Sequence, residues 1–261
     1  MDDEAVLATS GLTKRFGALV VADGIDFDLR AGERRALIGP NGAGKTTFVA
    51  LLSGLLRPDA GRITLLGRDM TRLSADRRVK AGVVRTFQIS SLFRSLSVLE
   101  NVYLAASEAL GAARSWLRPA ALHRDVVECA EETLAMLGLD ADRHRKVVEI
   151  AYGRQRLVEI AIALCLRPKV LVLDEPAAGI PADQAARLLD VIERLPAEMA
   201  ILMIEHDMQV VRRFASRVSV FVGGTILMTG APQQVMSDDK VRSIYLGRSG
   251  HERFLSQPPG A

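Results

Sequence analysis

The run Gly39-Pro40-Asn41-Gly42-Ala43-Gly44-Lys45-Thr46-Thr47 restricts this chain to a small set of folds. It matches the pattern G-x-x-x-x-G-K-[ST] at every fixed position. Phosphate oxygens need several backbone N–H donors converging on one small space, and glycines let the backbone curl that tightly. A helix starting near Gly44 would add its positive end to the same spot. Lys45 is then placed to reach β- and γ-phosphates, and the Thr46 hydroxyl to ligate Mg²⁺. The flanks suit the motif. Residues 35–38 read as a short buried strand entering it, and residues 46–56 as the helix leaving it.

The rest of the chain alternates between strand and helix patterns. Strands are expected near 6–9 and 25–29, with Phe16-Gly17 in the turn between strand-forming segments, and then at 61–66 and 82–87. A short helix is expected at 74–81. Residues 97–139 and 152–166 read as helical and rich in Ala and Leu, with a weaker link around 111–119 that carries Trp116. Strand patterns return at 170–173, 200–204, 218–222 and 225–228, with helices at 182–195 and 208–215. This order implies a mainly parallel sheet with covering helices and an inserted helical lobe.

Composition closes off other classes. A chain of 261 residues that is 49% hydrophobic and 25% charged can bury a full core. The acidic opening Met1-Asp2-Asp3-Glu4 is not the start of a targeting signal, and no apolar run is long and uninterrupted enough to span a membrane. The net charge of +3 is spread among acids without a long basic run, which does not indicate nucleic acid. Cys129 and Cys165 read as reduced core thiols, and no spacing supports a zinc site.

A second motif supplies acids. Residues 170–173 are four apolar residues, followed at once by Asp174 and Glu175. In nucleotide hydrolases such a strand delivers a carboxylate to Mg²⁺ beside the phosphate loop. Adjacent residues of a strand face opposite sides, so the two acids can have separate tasks. Asp174 is expected in the Mg²⁺ shell and Glu175 as the general base that polarises the attacking water.

With these motifs in this order, the chain resembles the nucleotide-binding subunit of an ATP-binding cassette (ABC) transporter over about residues 4–247. The resemblance implies an α/β fold: a P-loop NTPase (RecA-like) core with N-terminal antiparallel β strands and an inserted α-helical subdomain. It implies an ATP-binding lobe from residues 1–86 and 167–246, a helical signature subdomain over 87–166, and a flexible tail from 247 to 261. It implies ATP and Mg²⁺ as cofactors. Gly39, Pro40, Asn41, Gly42, Ala43, Gly44, Lys45, Thr46, Thr47 and Asp174 would hold the nucleotide. Phe16 stands where the family stacks an aromatic on adenine. Gln88, within Arg85-Thr86-Phe87-Gln88, matches the glutamine that senses Mg²⁺ with Thr46 and Asp174, and that carries motion to the membrane partner. His206 matches the switch histidine on the γ-phosphate, acting with Glu175 and Gln88 in catalysis.

Two departures refine the resemblance. The family's signature loop, Leu-Ser-Gly-Gly-Gln, clamps the ATP of the opposite subunit. Here it reads Ile150-Ala151-Tyr152-Gly153-Arg154, so the serine hydroxyl is lost at Ala151 and Arg154 replaces glutamine. The backbone at Gly153 still offers a phosphate donor, and Arg154 a charge-assisted one. After Glu175-Pro176 the chain reads Gly179-Ile180-Pro181-Ala182, and the family's aspartate is absent at Pro181.

These departures, with Ile204-Glu205-His206-Asp207-Met208, Tyr245-Leu246-Gly247 and Leu92-Phe93, resemble importers of branched-chain and other hydrophobic amino acids. The resemblance implies two transmembrane permeases, a second non-identical ATPase subunit, and an external solute-binding protein. A homodimer in isolation stays open. It places the chain peripherally on the cytoplasmic face of the inner or plasma membrane. The apolar surface at Leu92-Phe93 is the expected permease groove. Import of urea, amides or aromatic acids, and lipid or lipopolysaccharide export, remain alternatives. Tyr152 and the Tyr245-Leu246-Gly247 ending argue against export. A soluble nucleic-acid-associated ABC ATPase would carry two cassettes or long insertions. A GTPase would need an Asn-Lys-x-Asp guanine reader, and a protein kinase a His-Arg-Asp loop followed by the rest of the kinase pattern; neither is found.

Overall fold

A computed structural model describes residues 5–86, 92–112 and 124–246. The chain forms two compact units, one from residues 1–75 with 198–261 and the other from residues 76–197.

The first unit opens with a long antiparallel hairpin, β1 (Ala5–Phe16) and β2 (Leu19–Arg30). The expected strands at 6–9 and 25–29 lie inside it. Leu12 is three residues beyond Thr9, so strict alternation would send the two to opposite faces. Both are buried, because the register shifts between them. On its other edge β1 pairs with β4 (Ala60–Leu65), which pairs with β5 (Arg68–Asp69).

β3 (Arg34–Ile38) is the strand expected before the phosphate loop. It lies between two parallel neighbours, β8 (Ala200–Ile204) and β9 (Arg217–Val222), and β9 turns back antiparallel into β10 (Thr225–Gly230). Strands buried on both faces read as continuous apolar runs, which explains how 200–204 was legible. α1 (Lys45–Ser53) follows the loop and ends at Gly54. Its Phe48 is fully buried, 5.4 Å from the ring of Phe27 in β2 and 5.5 Å from that of Phe221 in β9. This stack ties the helix to strands of both sheets and so fixes where its N-terminus points.

α7 (Met208–Phe214) is capped by Asp207, whose carboxylate accepts from the Gln209 N–H at 2.8 Å. Two further helices, α8 (Pro232–Ser237) and α9 (Asp239–Leu246), complete this unit. Periodicity does not reveal helices this short, although Pro232 at the first helical turn and Asp238 before the second are start signals.

The second unit holds α2 (Ala75–Ala81), then β6 (Val83–Arg85) in parallel register with β7 (Val170–Asp174). Its helical part is α3 (Val98–Ala109), α4 (Arg124–Met136) and α5 (Tyr152–Cys165), with α3 packed on both others. α6 (Ala182–Glu193) follows β7. A capping box of Ser97 and Glu100 starts α3. Buried Asn101 clasps the loop ahead of it, accepting from Phe93 N–H at 2.8 Å and donating to the carbonyls of Phe93 and Ser97 at 3.1 and 2.9 Å. The stretch 113–123, with Trp116, lies outside the described residues. The α/β fold with N-terminal antiparallel strands and an inserted helical part is the fold expected from the sequence.

Candidate functional site

In the first unit the site grows from the carboxyl end of β3. The chain there is pressed so closely on its neighbours that side chains are excluded. A Cβ on Gly39 would sit 2.1 Å from the Phe221 carbonyl oxygen, and one on Gly44 would sit 2.5 Å from that of Val21. The Ala43 carbonyl accepts from Gly224 N–H at 2.9 Å, which pins the loop to the β9–β10 turn. The Lys45 ammonium donates to the carbonyls of Gly39 and Pro40 at 2.7 and 3.0 Å. α1 therefore starts at a glycine with no side-chain cap and no acid in its first turn. Its leading N–H groups and dipole suit an anion. The Thr46 side chain is exposed just there.

His206 comes to the same end of the same sheet. Leu37 of β3 stands opposite Ile204 of β8, and Glu205 N–H donates to the Leu37 carbonyl at 3.4 Å. His206 follows directly and is 50% exposed at its side chain, with its backbone N–H bonded to the buried Glu205 carboxylate at 3.1 Å. Ligand sites of parallel sheets lie off the carboxyl ends of the strands, where both groups sit. Phe16, at the end of β1, is 49% exposed, with the Lys14 ammonium 5.5 Å from its ring centre. That ammonium is held by Asp59, and this hydrogen bond keeps the Asp59 carboxyl below its usual range. An exposed, fixed ring is a stacking platform.

In the second unit, β7 ends at Asp174, which is almost wholly buried and ion-paired with Arg85 of β6. Glu175 has φ 46°, the left-handed region that non-glycine residues seldom adopt. The separation of the two carboxylates was expected from the pleat of a strand. The strand instead ends at Asp174, and the backbone turns left-handed at Glu175, so the alternation of a pleat does not extend to the second acid. Strain of this kind collects at functional positions. Gln88 lies outside the described residues.

The signature segment starts α5, with Ala151 at its N-cap. Tyr152 is partly exposed, and its hydroxyl accepts from Arg156 at 2.6 Å while the guanidinium lies 5.0 Å from the ring centre. Gly153 is buried against α6. The Arg154 guanidinium pairs with Asp142 and donates to the Gly138 carbonyl at 2.8 Å. Gln155 donates to the carbonyls of Val147 and Ile150 at 3.1 and 3.0 Å, bracing the approach to the helix. Leu92 is buried whereas Phe93 is 59% exposed. Chain pairing of 94–99 with 143–148 brings exposed Val148 beside that loop.

Two contacting residues had no role in the sequence reading. Arg85 stood in the Gln88 motif without a partner. Tyr245 belongs to the subgroup ending, and its buried hydroxyl comes near the Gly39 backbone N–H. Among the described residues, no three His, Cys, Asp or Glu side chains cluster as a metal cage. Each unit carries a hard oxygen donor of its own, the Thr46 hydroxyl in the first and the Asp174 carboxylate in the second. Hard oxygens are the donors Mg²⁺ takes, one or two from protein, with water and substrate phosphates completing its shell.

Comparison with known proteins agrees. A family profile described as "ABC transporter" matches residues 22–178. The high-affinity branched-chain amino acid transport ATP-binding protein LivG of Salmonella typhimurium is 37% identical over 253 residues, covering 94% of this chain and 99% of LivG. The corresponding BraF of Pseudomonas aeruginosa is 36% identical over 251 residues, covering 94% and 98%. Among solved structures, an ATP-binding cassette of an ABC transporter in its ADP conformation superposes with a TM-score of 0.83 at 31% identity, covering 94% of this chain and 99% of that one. A nucleotide-free cassette gives 0.82 at 30% identity, covering 93% and 99%.

Proposed function

The chain belongs to the ABC transporter family, and from that premise we propose that it is the ATP-hydrolysing subunit of an importer for branched-chain or related amino acids. The observation that carries the solute class is the likeness to LivG along almost the whole of both chains. ATP and Mg²⁺ are its cofactors, and it works peripherally at a membrane with permease partners. We assign it two permeases, a second non-identical cassette and an external binding protein, at the cytoplasmic face. No helix among the described residues is long and apolar enough to cross a membrane.

The roles follow from the chemistry of each group. The loop from Gly39 to Thr47 wraps the phosphates, Lys45 meets their charge, and Phe16 stacks on adenine. Thr46, Asp174 and Gln88 form the protein side of the Mg²⁺ shell. When bound, Mg²⁺ neutralises charge developing on the β- and γ-oxygens. Glu175 accepts the proton of the attacking water, and His206 fixes the γ-phosphate. The segment from Ala151 through Tyr152 and Gly153 to Arg154 closes over the nucleotide of the opposite cassette, chiefly through backbone N–H groups at the start of α5. Arg154 joins such a contact with the part of its guanidinium that Asp142 and the Gly138 carbonyl leave over, or by releasing them. Residues 1–86 and 167–246 serve as the ATP-binding lobe and 87–166 as the signature lobe, while the stretch 247–261 lies outside the described residues. Phe93 and Val148 give the apolar surface on which a permease segment docks.

The test is recovery from gently solubilised membranes of tagged protein carrying Glu175→Gln, with ATP, read by mass spectrometry. Two multispanning permeases and a second, different cassette are expected. Recovery of lipid-export components, or of ribosomes and nucleic acid without a permease, would overturn the importer.

A further inference from the structure

Arg85 lies in β6 opposite Val172 of β7, two residues short of Asp174. Its side chain runs along the neighbouring strand and places Nη2 on Asp174 Oδ2. Both groups are out of solvent, with side-chain exposures of 9% for Arg85 and 1% for Asp174. The guanidinium is otherwise poorly satisfied, because its Nε is buried with no hydrogen-bond partner among the described residues. A buried donor left unbonded carries a free-energy cost and calls for an explanation. An apolar residue would fill this place in the sheet more favourably.

We propose that Arg85 is the positioning residue for Asp174, holding its carboxylate in the orientation that the Mg²⁺ shell requires. The inference rests on the reading of Asp174 as part of that shell. Carboxylates around metals are themselves hydrogen-bonded, and this outer partner fixes the orientation of the ligand. Arginine suits the task, because its charge is permanent and its planar fork approaches a carboxylate from a defined direction. Position in the chain adds a second consequence. The next residue, Thr86, bonds the Val172 carbonyl through its backbone N–H at 2.9 Å. Arg85 thus ties the acid of β7 to the root of the segment that carries Gln88.

The experiment separates metal from nucleotide. A fluorescent N-methylanthraniloyl ATP is titrated into full-length protein, once in EDTA and once with Mn²⁺ in place of Mg²⁺, for wild type, Arg85→Gln and Arg85→Lys. Thermal unfolding of each protein is followed in parallel. Arg85→Gln should keep the affinity measured in EDTA and lose about 10–100-fold of the gain that Mn²⁺ confers. Arg85→Lys, which keeps the charge and folds if the pair alone maintains the sheet, should recover part of that gain. An undiminished Mn²⁺ gain in Arg85→Gln, or an equal loss in both titrations, would overturn the assignment. Wild-type protein that binds nucleotide in EDTA but shows no Mn²⁺ gain would instead overturn the metal role of Asp174 on which the inference rests.

Discussion

Gly153, in the first turn of α5, lies against Gln184 of α6 so closely that a Cβ on it would be 2.8 Å from the Gln184 Oε1 and 3.3 Å from its Cβ. The signature glycine is therefore a packing residue as well as a candidate phosphate donor. The two roles can be separated. Gly153→Ala gains helix propensity but must displace the Gln184 side chain, whose amide end can swing while its Cβ cannot. A double-mutant cycle with Gln184→Ala should give a coupling of about 1 kcal/mol, with Gly153→Ala better tolerated when Gln184 is already truncated. Urea unfolding of the four proteins measures it. Strict additivity would mean that α5 and α6 do not meet at this point.

Glu175 combines a left-handed backbone with the general-base position. Glu175→Gln should bind ATP as wild type does and hydrolyse it about 10²–10⁴-fold more slowly. Glu175→Gly should be equally inactive, yet it should unfold at a higher temperature, because glycine relieves strain of about 1–3 kcal/mol at such a φ. A less stable Glu175→Gly would show that the backbone there is held without strain.

The legible parts of the chain are those whose physics is local. The loop from Gly39 to Thr47 announces itself because close approach to Phe221 and Val21 admits only glycine at Gly39 and Gly44. β7 is legible because a strand buried on both faces must be apolar throughout. β1 was seen only in part, since Ser10, Lys14 and the register shifts around Leu12 break the alternation. The partnership of Arg85 with Asp174 spans 89 positions and depends on which strands pair and in what register. No pattern within either segment encodes it. The same holds for Tyr245, whose helix is too short for periodicity to reveal which face is buried.

Cys165 sits inside the helical part, its thiol 3.6 Å from the Thr133 hydroxyl, and burial pushes it from an ordinary value near 9 up to about 12. The sign follows from the charged form being the disfavoured one. Below pH 9 both folded and unfolded chains keep the proton, so the full contribution to stability is present. As pH rises through the interval up to about 12, the unfolded chain ionises first and stability declines. Iodoacetamide at pH 8 should leave Cys165 unmodified in the native protein and alkylate it in urea, as peptide mapping would report. Cys165→Ala should flatten the alkaline fall in stability. Rapid native alkylation of Cys165 would contradict its burial.

Tyr245 links the last helix to the first glycine of the phosphate loop. Burial pushes its phenol upward, and the Gly39 backbone N–H facing the hydroxyl opposes that. Gly39 is thereby approached from two directions, by the Phe221 carbonyl on the side a Cβ would take and by the Tyr245 hydroxyl near its N–H. Tyr245→Phe keeps the ring and removes only the oxygen. A neutral hydrogen bond contributes about 1 kcal/mol, so nucleotide affinity should weaken about fivefold if the bond is made in the bound state of the loop. The KM for ATP should rise by the same factor while kcat holds, because the lost contact orders the loop without touching the reacting water. Hydrogen exchange at the Gly39 amide should quicken in the variant. A fall in kcat at constant KM would place Tyr245 in the hydrolytic step instead, and an unchanged Gly39 exchange rate would mean that the loop keeps its shape without the helix.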